Sequence, residues 1–290
     1  MNYRHAFHAG NFADVLKHAI MAQVLVYLGL KEAPFRYLDS HAGRAVYRLD
    51  GPEAGRSGEW QSGIGRLRGK TLAEPLAGFL APYLDMVISL EREAGAGAYP
   101  GSPEIARRLA RPQDRLLLCE RHPEEAEALR AAMHRDRRVK VVEIDGWQAL
   151  GAWLPPPERR GAVLIDPPYE EPGEAARLLS ALAAAHRKWP TGTYLLWYPV
   201  KDPLAADALR KAAGRAGIPR ILAAELLIRR PADPSRLNGS GVLIVNPPWT
   251  LANRLAAGLP ALARELGEDE HARGRVQQVA GEHNGKNAHE

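Results

Sequence analysis

The sequence has a single cysteine, Cys119, among 290 residues, and a lone thiol excludes both a disulfide framework and a cysteine-based metal site. It lies in the apolar run Leu116-Leu117-Leu118-Cys119 and reads as a small core residue. Long apolar runs are missing too. None approaches the roughly 18 to 20 residues that span a bilayer, and Met1 to Asn11 lack the apolar stretch of a secretory signal. A cytoplasmic protein without a membrane partner is the expectation. No G-x-G-x-x-G follows the first predicted strand, which argues against a nicotinamide-dependent enzyme. No histidine spacing supports a metal site, so none is expected.

At this length, with 46% hydrophobic residues, the chain can bury a full core, and one compact enzyme, a monomer by default, is the simplest reading. The net charge of +5 and a pI near 9.4 suit a polyanionic partner. The stretch from Ser102 to Ser240 carries the whole surplus. Arg135, Arg137, Arg138 and Lys140, or Arg229 and Arg230, are candidates for phosphate contact, and equally for solvated turns.

Asn11 followed by Asp14 predicts a helix start, and the pattern Val15, Ile20, Val24, Leu25, Leu28 continues it toward Lys31. Strands are expected at 35–38, 115–120, 139–144, 162–165, 193–198, 221–227 and 241–245, with Ala-, Leu- and Arg-rich helical stretches between most of them. Such alternation predicts an α/β fold with a parallel, doubly wound sheet and ligands at the strands' carboxyl ends. Leu227 and Gly241 are too close for a helical crossover and suit an antiparallel return. Asp39 to Glu120 is too long for one strand-helix-strand unit, so a helical insertion is expected over 48–99, including a helix from Leu72 to Glu93. The main domain would then be 1–47 and 100–266. Gly267 to Glu290 is polar and aperiodic and is expected to be a disordered tail.

The sharpest motif is Asp166-Pro167-Pro168-Tyr169, directly after a predicted strand. The exocyclic amine of adenine is a poor nucleophile because its lone pair is delocalised into the ring, so an enzyme must localise that pair. Two acceptors suffice: the Asp166 carboxylate and the carbonyl of Pro167, in a turn that consecutive prolines stiffen. Tyr169 offers a face on which an extruded base can stack. The bland alternative is a solvated Asp166 and a Tyr169 packed on the core. Asn246-Pro247-Pro248-Trp249 looks similar, but no second cofactor motif lies beside it, and a structural turn is expected there. Asp39-Ser40-His41-Ala42-Gly43, Glu120 and Asp145-Gly146 end successive predicted strands, where they would wrap a donor's methionine part, hold its ribose and reach its adenine. Ser102-Pro103-Glu104 is a helix start with Ser102 as the expected cap.

These residues resemble a known family, the bacterial 23S ribosomal RNA adenine N(6)-methyltransferases that act on adenine 2030. The likeness is carried by Tyr3-Arg4-His5-Ala6-Phe7-His8-Ala9-Gly10-Asn11, Asp14-Val15-Leu16-Lys17-His18, Tyr99-Pro100-Gly101-Ser102-Pro103 and Trp197-Tyr198-Pro199-Val200, and covers roughly residues 1 to 260. It implies a Rossmann-like fold dependent on S-adenosylmethionine, 23S ribosomal RNA as partner, and an amino-terminal segment closing over the cofactor. Position by position, it implies donor binding by His18, His41, Ser102, Glu120, Asp145, Gly146 and Asp166, catalysis by Asp166, and substrate contact by Tyr3. Ala45 stands where the family usually has a second glycine of the donor loop. The alternatives are a DNA adenine methyltransferase, since Asp-Pro-Pro-Tyr serves either nucleic acid, and a non-catalytic RNA-binding protein that keeps the fold.

Overall fold

The computed structural model describes residues 4–282, so Tyr3 lies outside the described residues. Helix α1 (Phe12–Gly29) begins where the Asn11 side chain accepts the amides of Ala13 and Asp14, satisfying two donors that no preceding carbonyl reaches. By length and composition α1 could cross a membrane, contrary to the expectation drawn from apolar runs, yet 83% of it is buried inside the protein. The expectation missed it because Asp14, Lys17 and His18 interrupt the run, whereas averaging over 18 residues absorbs them.

Strand β1 (Arg36–Asp39) follows, and the chain then leaves the sheet. Strand β2 (Val46–Arg48) pairs antiparallel with β3 (Ala98–Pro100), clasping the stems of a segment that holds α2 (Pro52–Ser57), α3 (Glu59–Ser62) and α4 (Leu76–Ala94). Phe79, Tyr83 and Val87 of α4 belong to the same buried cluster as Leu16 and Ile20 of α1. The inserted helices therefore share the main core.

Next come α5 (Ser102–Leu109), β4 (Arg115–Glu120), α6 (Pro123–Met133), β5 (Val139–Glu143) and α7 (Gly146–Trp153). They are followed by β6 (Gly161–Ile165), α8 (Glu174–Lys188), β7 (Thr193–Val200) and α9 (Pro203–Gly214). The last elements are β8 (Ile221–Leu227), β9 (Gly239–Val245), α10 (Leu251–Leu266) and β10 (Arg273–Ala280). The sheet order is β10-β8-β9-β7-β6-β1-β4-β5. Parallel pairing links β7, β6, β1, β4 and β5, while β9 runs antiparallel to both β7 and β8, the return expected from the short 227–241 spacing. The chain goes to one side of β1 for β4 and β5, then to the other for β6 and β7. That reversal opens a crevice between the carboxyl ends of β1 and β6.

Alternation along β4 shows the layering. Leu116 and Leu118 join the cluster that contains α1, α4 and α10, whereas Leu117 and Cys119 join the one under α7, α8 and α9. Cys119 is fully buried, and burial pushes its thiol up to about 12.

The expected disordered tail is wrong as far as Ala280, because β10 pairs antiparallel with β8. A Cβ at Gly274 would lie 2.3 Å from the Leu259 carbonyl, so α10 packs directly on the strand's backbone. As an edge strand, β10 keeps Arg273, Gln277 and Gln278 exposed, and polar edges of this kind hide a strand from a periodicity search. Asn246-Pro247-Pro248-Trp249 ends the antiparallel β9 and so emerges at the opposite edge of the sheet from Asp166. The Asn246 side chain donates to the carbonyls of Pro190 and Gly192, both at 2.8 Å, as a structural turn requires.

Candidate active site

A cavity of about 510 Å³ opens over the carboxyl ends of β1, β4, β5 and β6, within the size range of ligand pockets. His18, His41, Ser102, Glu120, Asp145, Gly146 and Asp166 all line it. Both carboxylate oxygens of Glu120 are fixed by backbone donors, Oε2 by Gly43 and Oε1 by His122, each at 2.7 Å. Each oxygen retains a lone pair, so the group is a rigid two-pronged acceptor. Asp145 first serves as a helix cap, its Oδ1 accepting from Trp147 and Gln148 at 2.9 and 3.3 Å, while Oδ2 meets Arg121 at 3.4 Å. Gly146 is required by close approach: a Cβ there would lie 2.1 Å from the Ser40 carbonyl and 2.7 Å from His41 Cε1.

Ser102 is not the cap of α5. Gly101, extended at φ −73° and ψ 173°, holds that position, and Ser102 has already entered the helix. Its hydroxyl instead hydrogen-bonds the buried Asp39, which also accepts from Tyr37 at 2.8 Å. Burial pushes the Asp39 carboxyl up to about 6 against these two bonds. His41 meets Ser40 Oγ at 2.8 Å and stands edge-on to Trp147, with centroids 5.3 Å apart. His18 meets the Tyr99 hydroxyl at 3.1 Å. Burial lowers the two imidazoles to about 4 and about 3 respectively.

These shifts predict an acid-sensitive fold. In the unfolded chain both histidines take up a proton near 6.5, whereas in the folded protein they stay neutral down to about 4 and 3. Between pH 6.5 and 4 the unfolded state therefore binds more protons, and stability falls with falling pH by up to about 1.4 kcal/mol per unit for each histidine. Asp39 acts oppositely below about 6 and offsets one of the two. Urea midpoints should decline steadily across that window, and a flat profile would mean that the folded protein protonates these imidazoles.

Asp166 follows β6 at the crevice, and its side chain is only 16% exposed. Lys17 Nζ donates to its Oδ2 and lies 2.9 Å from Asp14 Oδ1. Burial works against the Lys17 charge, but the two carboxylates outweigh it and hold its pKa above the ordinary value. Burial likewise opposes the Asp14 charge, yet His5, Lys17 and His18 keep that carboxyl well below the usual range. Lys17 was not singled out from the sequence, although Asp14, Lys17 and His18 stand at i, i+3 and i+4 and so share one face of an otherwise apolar helix.

A second cavity, of about 570 Å³, lies beyond Asp166 and contains Tyr169, Trp197 and Pro199 in its lining. The two cavities share His5, Lys17, Asp166, Pro168 and Glu170. Pro168 thus lines both, whereas Pro167 is buried beneath the turn. Tyr169 takes the left-handed conformation, φ +52°, which a bulky residue adopts only under constraint. Its hydroxyl donates to the Trp197 carbonyl at 3.2 Å, and the two rings meet edge to face at 5.5 Å. Asp166 is therefore no solvated carboxylate, and Tyr169 combines partial packing with a cavity-lining position.

Three of the six basic residues named as candidates for phosphate contact have structural partners in a carboxylate or a tryptophan ring. Arg138 forks onto Asp136, Lys140 lies 4.2 Å over the Trp153 ring, and Arg229 forks onto Glu268.

The family model described as ribosomal RNA large subunit methyltransferase D, RlmJ, matches residues 32–279. A curated protein named ribosomal RNA large subunit methyltransferase J from Escherichia coli K12 is 40% identical over 266 residues, 92% of this chain and 94% of that protein. Its namesake from Haemophilus influenzae is 41% identical over 267 residues, with the same coverage of 92% and 94%. The crystal structure of protein LPL1258 from Legionella pneumophila aligns with a TM-score of 0.83 at 33% identity, covering 93% of this chain and 98% of that one. The matched span takes in the crevice, the inserted helices and the antiparallel return, and the chain accordingly belongs to the RlmJ family of ribosomal RNA large subunit methyltransferases.

Proposed function

We propose that this protein transfers a methyl group from S-adenosylmethionine to the exocyclic 6-amino group of an adenine in 23S ribosomal RNA, with adenine 2030 the position that the sequence resemblance implies. The observation that carries the reading is the meeting of two cavities at Asp166, one for a methyl donor and one for an acceptor base. The first cavity fits the donor in charge, since seven carboxylates line it against four Lys and Arg and the donor is a sulfonium cation. When bound, the donor supplies an electrophilic methyl group.

The chain's own residues do the rest. Glu120 presents its two fixed oxygens to a vicinal diol, and Asp145 and Gly146 bound the place of the donor's base beside His41. His18 and Ser102 complete the wall near Asp166. Asp166 accepts an amino hydrogen of the flipped adenine, so that the nitrogen lone pair turns toward the first cavity. Tyr169 stacks on the base, held by its bond to the Trp197 carbonyl. Lys17 orients Asp166, and the carboxylate takes up the proton that the methylated amine releases. Incubation with labelled donor and either RNA or DNA, followed by mapping of the methylated base, tests the whole reading. Methylation of DNA alone, or of no adenine, would overturn it.

Glu120→Ala is expected to weaken donor binding by roughly 1.5 to 3 kcal/mol, about ten- to hundredfold in Kd, through loss of charge-assisted hydrogen bonds. RNA affinity should hold. Calorimetry on a variant shown to be folded measures this, and unchanged donor affinity would take Glu120 out of the site.

A further inference from the structure

Two cations at the mouth of the second cavity make no salt bridge among the described residues. Lys201 follows β7, and Arg236 lies in the loop between β8 and β9; both are exposed and both line the cavity that holds Tyr169 and Trp197. Neither side chain reaches a carboxylate at salt-bridge distance among the described residues. Asp233, which feels the Arg236 charge, already accepts from the amide and hydroxyl of Ser235 at 2.8 and 2.6 Å. Arg229, at the same cavity, is in contrast committed to Glu268.

The backbone that carries the two cations is fixed. Asn238, 1% exposed, donates its side-chain amide to the carbonyls of Lys201 and Asp233 at 2.9 and 2.7 Å, and its own N–H to Val200 at 3.1 Å. The two loops are thereby joined at the carboxyl edge of the sheet, and the cations stand on a preformed rim. Carboxylates outnumber Lys and Arg around the first cavity, whereas the second holds four of each, with Lys201 and Arg236 exposed at its rim and without a salt bridge among the described residues. An aromatic slot with cations at its lip suits a single strand whose base enters while its phosphates stay outside.

We propose that Lys201 and Arg236 form a clamp for the two backbone phosphates that flank the flipped adenine of a single-stranded RNA segment. The proposal rests on the methyl-transfer reading above. Its test is the Lys201→Gln/Arg236→Gln double variant, with Arg187→Gln, an exposed charge near the end of α8 at the sheet's opposite edge, as control. The double variant should raise KM for RNA about tenfold or more. It should also reduce the slope of log affinity against log salt by about 0.7 for each charge removed. The rate at saturating RNA and the donor Kd should stay near wild type, and the control should change neither KM nor slope. An unchanged KM and salt slope, while wild type methylates RNA, would overturn the clamp and leave the methyl-transfer reading standing. So would equal effects in Arg187→Gln, which would indicate diffuse attraction only, or a loss confined to the saturated rate. Failure of the wild-type protein to methylate RNA would instead overturn the reading on which the clamp rests.

Discussion

Asp166→Ala is expected to slow methyl transfer by about a hundredfold or more, the usual size of combined positioning and proton-transfer effects. Both effects pass through one carboxylate here, because Asp166 borders both cavities and is held from behind by Lys17. RNA affinity should change little, since phosphate contacts supply most of it. Asp166→Asn separates the two contributions. The amide keeps one acceptor and the side chain's shape but accepts a proton poorly, so a rate near that of the alanine variant would assign the larger part to proton uptake. A rate near wild type in Asn but not Ala would assign it to orientation. Single-turnover methylation at saturating donor, on variants with native circular dichroism, gives the comparison. Near-normal transfer by Asp166→Ala would sink the mechanism.

The lining of the first cavity and the Asp166–Tyr169 turn were legible in the sequence and the rest of the second cavity was not, for a physical reason. Asp39, Glu120, Asp145 and Asp166 each end a strand whose apolar run is visible, and a parallel sheet places successive strand ends along one edge whatever their lateral order. Beyond the turn after β6, the second cavity is built from the loops after β7 and β8, from α3 and from the start of α1. Those loops meet only because β9 inserts antiparallel between β7 and β8, and lateral order is not written in any single run. Lys201 and Arg236 were overlooked accordingly, while the more crowded Arg138 and Arg229 stood out and proved to be tied to Asp136 and Glu268. Ser102 shows a smaller version of the same limit. Ser-Pro-Glu fits a cap equally well one residue later, and only the extended backbone at Gly101 releases the hydroxyl toward Asp39.

Lys17→Met is expected to cost about 3 to 5 kcal/mol of stability near neutral pH, as removal of one partner from a buried ion pair typically does. Methionine fills the space of the aliphatic stem, but Asp14, its side chain 2% exposed, loses the cation 2.9 Å away. His5, 3.0 Å from the other Asp14 oxygen, compensates only in part. The deficit should depend on pH with a definite sign. Lys17 is one of the groups that hold the Asp14 carboxyl well below the usual range, so without it the folded-state pKa rises, Asp14 loses stability that its depressed pKa supplies, and the gap to wild type narrows as pH falls through the raised pKa. Adding Asp14→Asn, which keeps an acceptor for the Gly10 amide, 2.9 Å from Asp14 Oδ2 in the wild type, removes the stranded charge. The double variant should therefore be more stable than the sum of the single effects predicts, by about 0.5 to 3 kcal/mol. Methyl transfer should stay low in both, because Asp166 lacks its buried donor in either background. Chemical denaturation at several pH values, paired with single-turnover rates, tests the two claims separately. Additive stabilities would show that Lys17 and Asp14 do not act as a pair, and wild-type transfer by the double variant would show that Lys17 serves the fold and not the chemistry at Asp166.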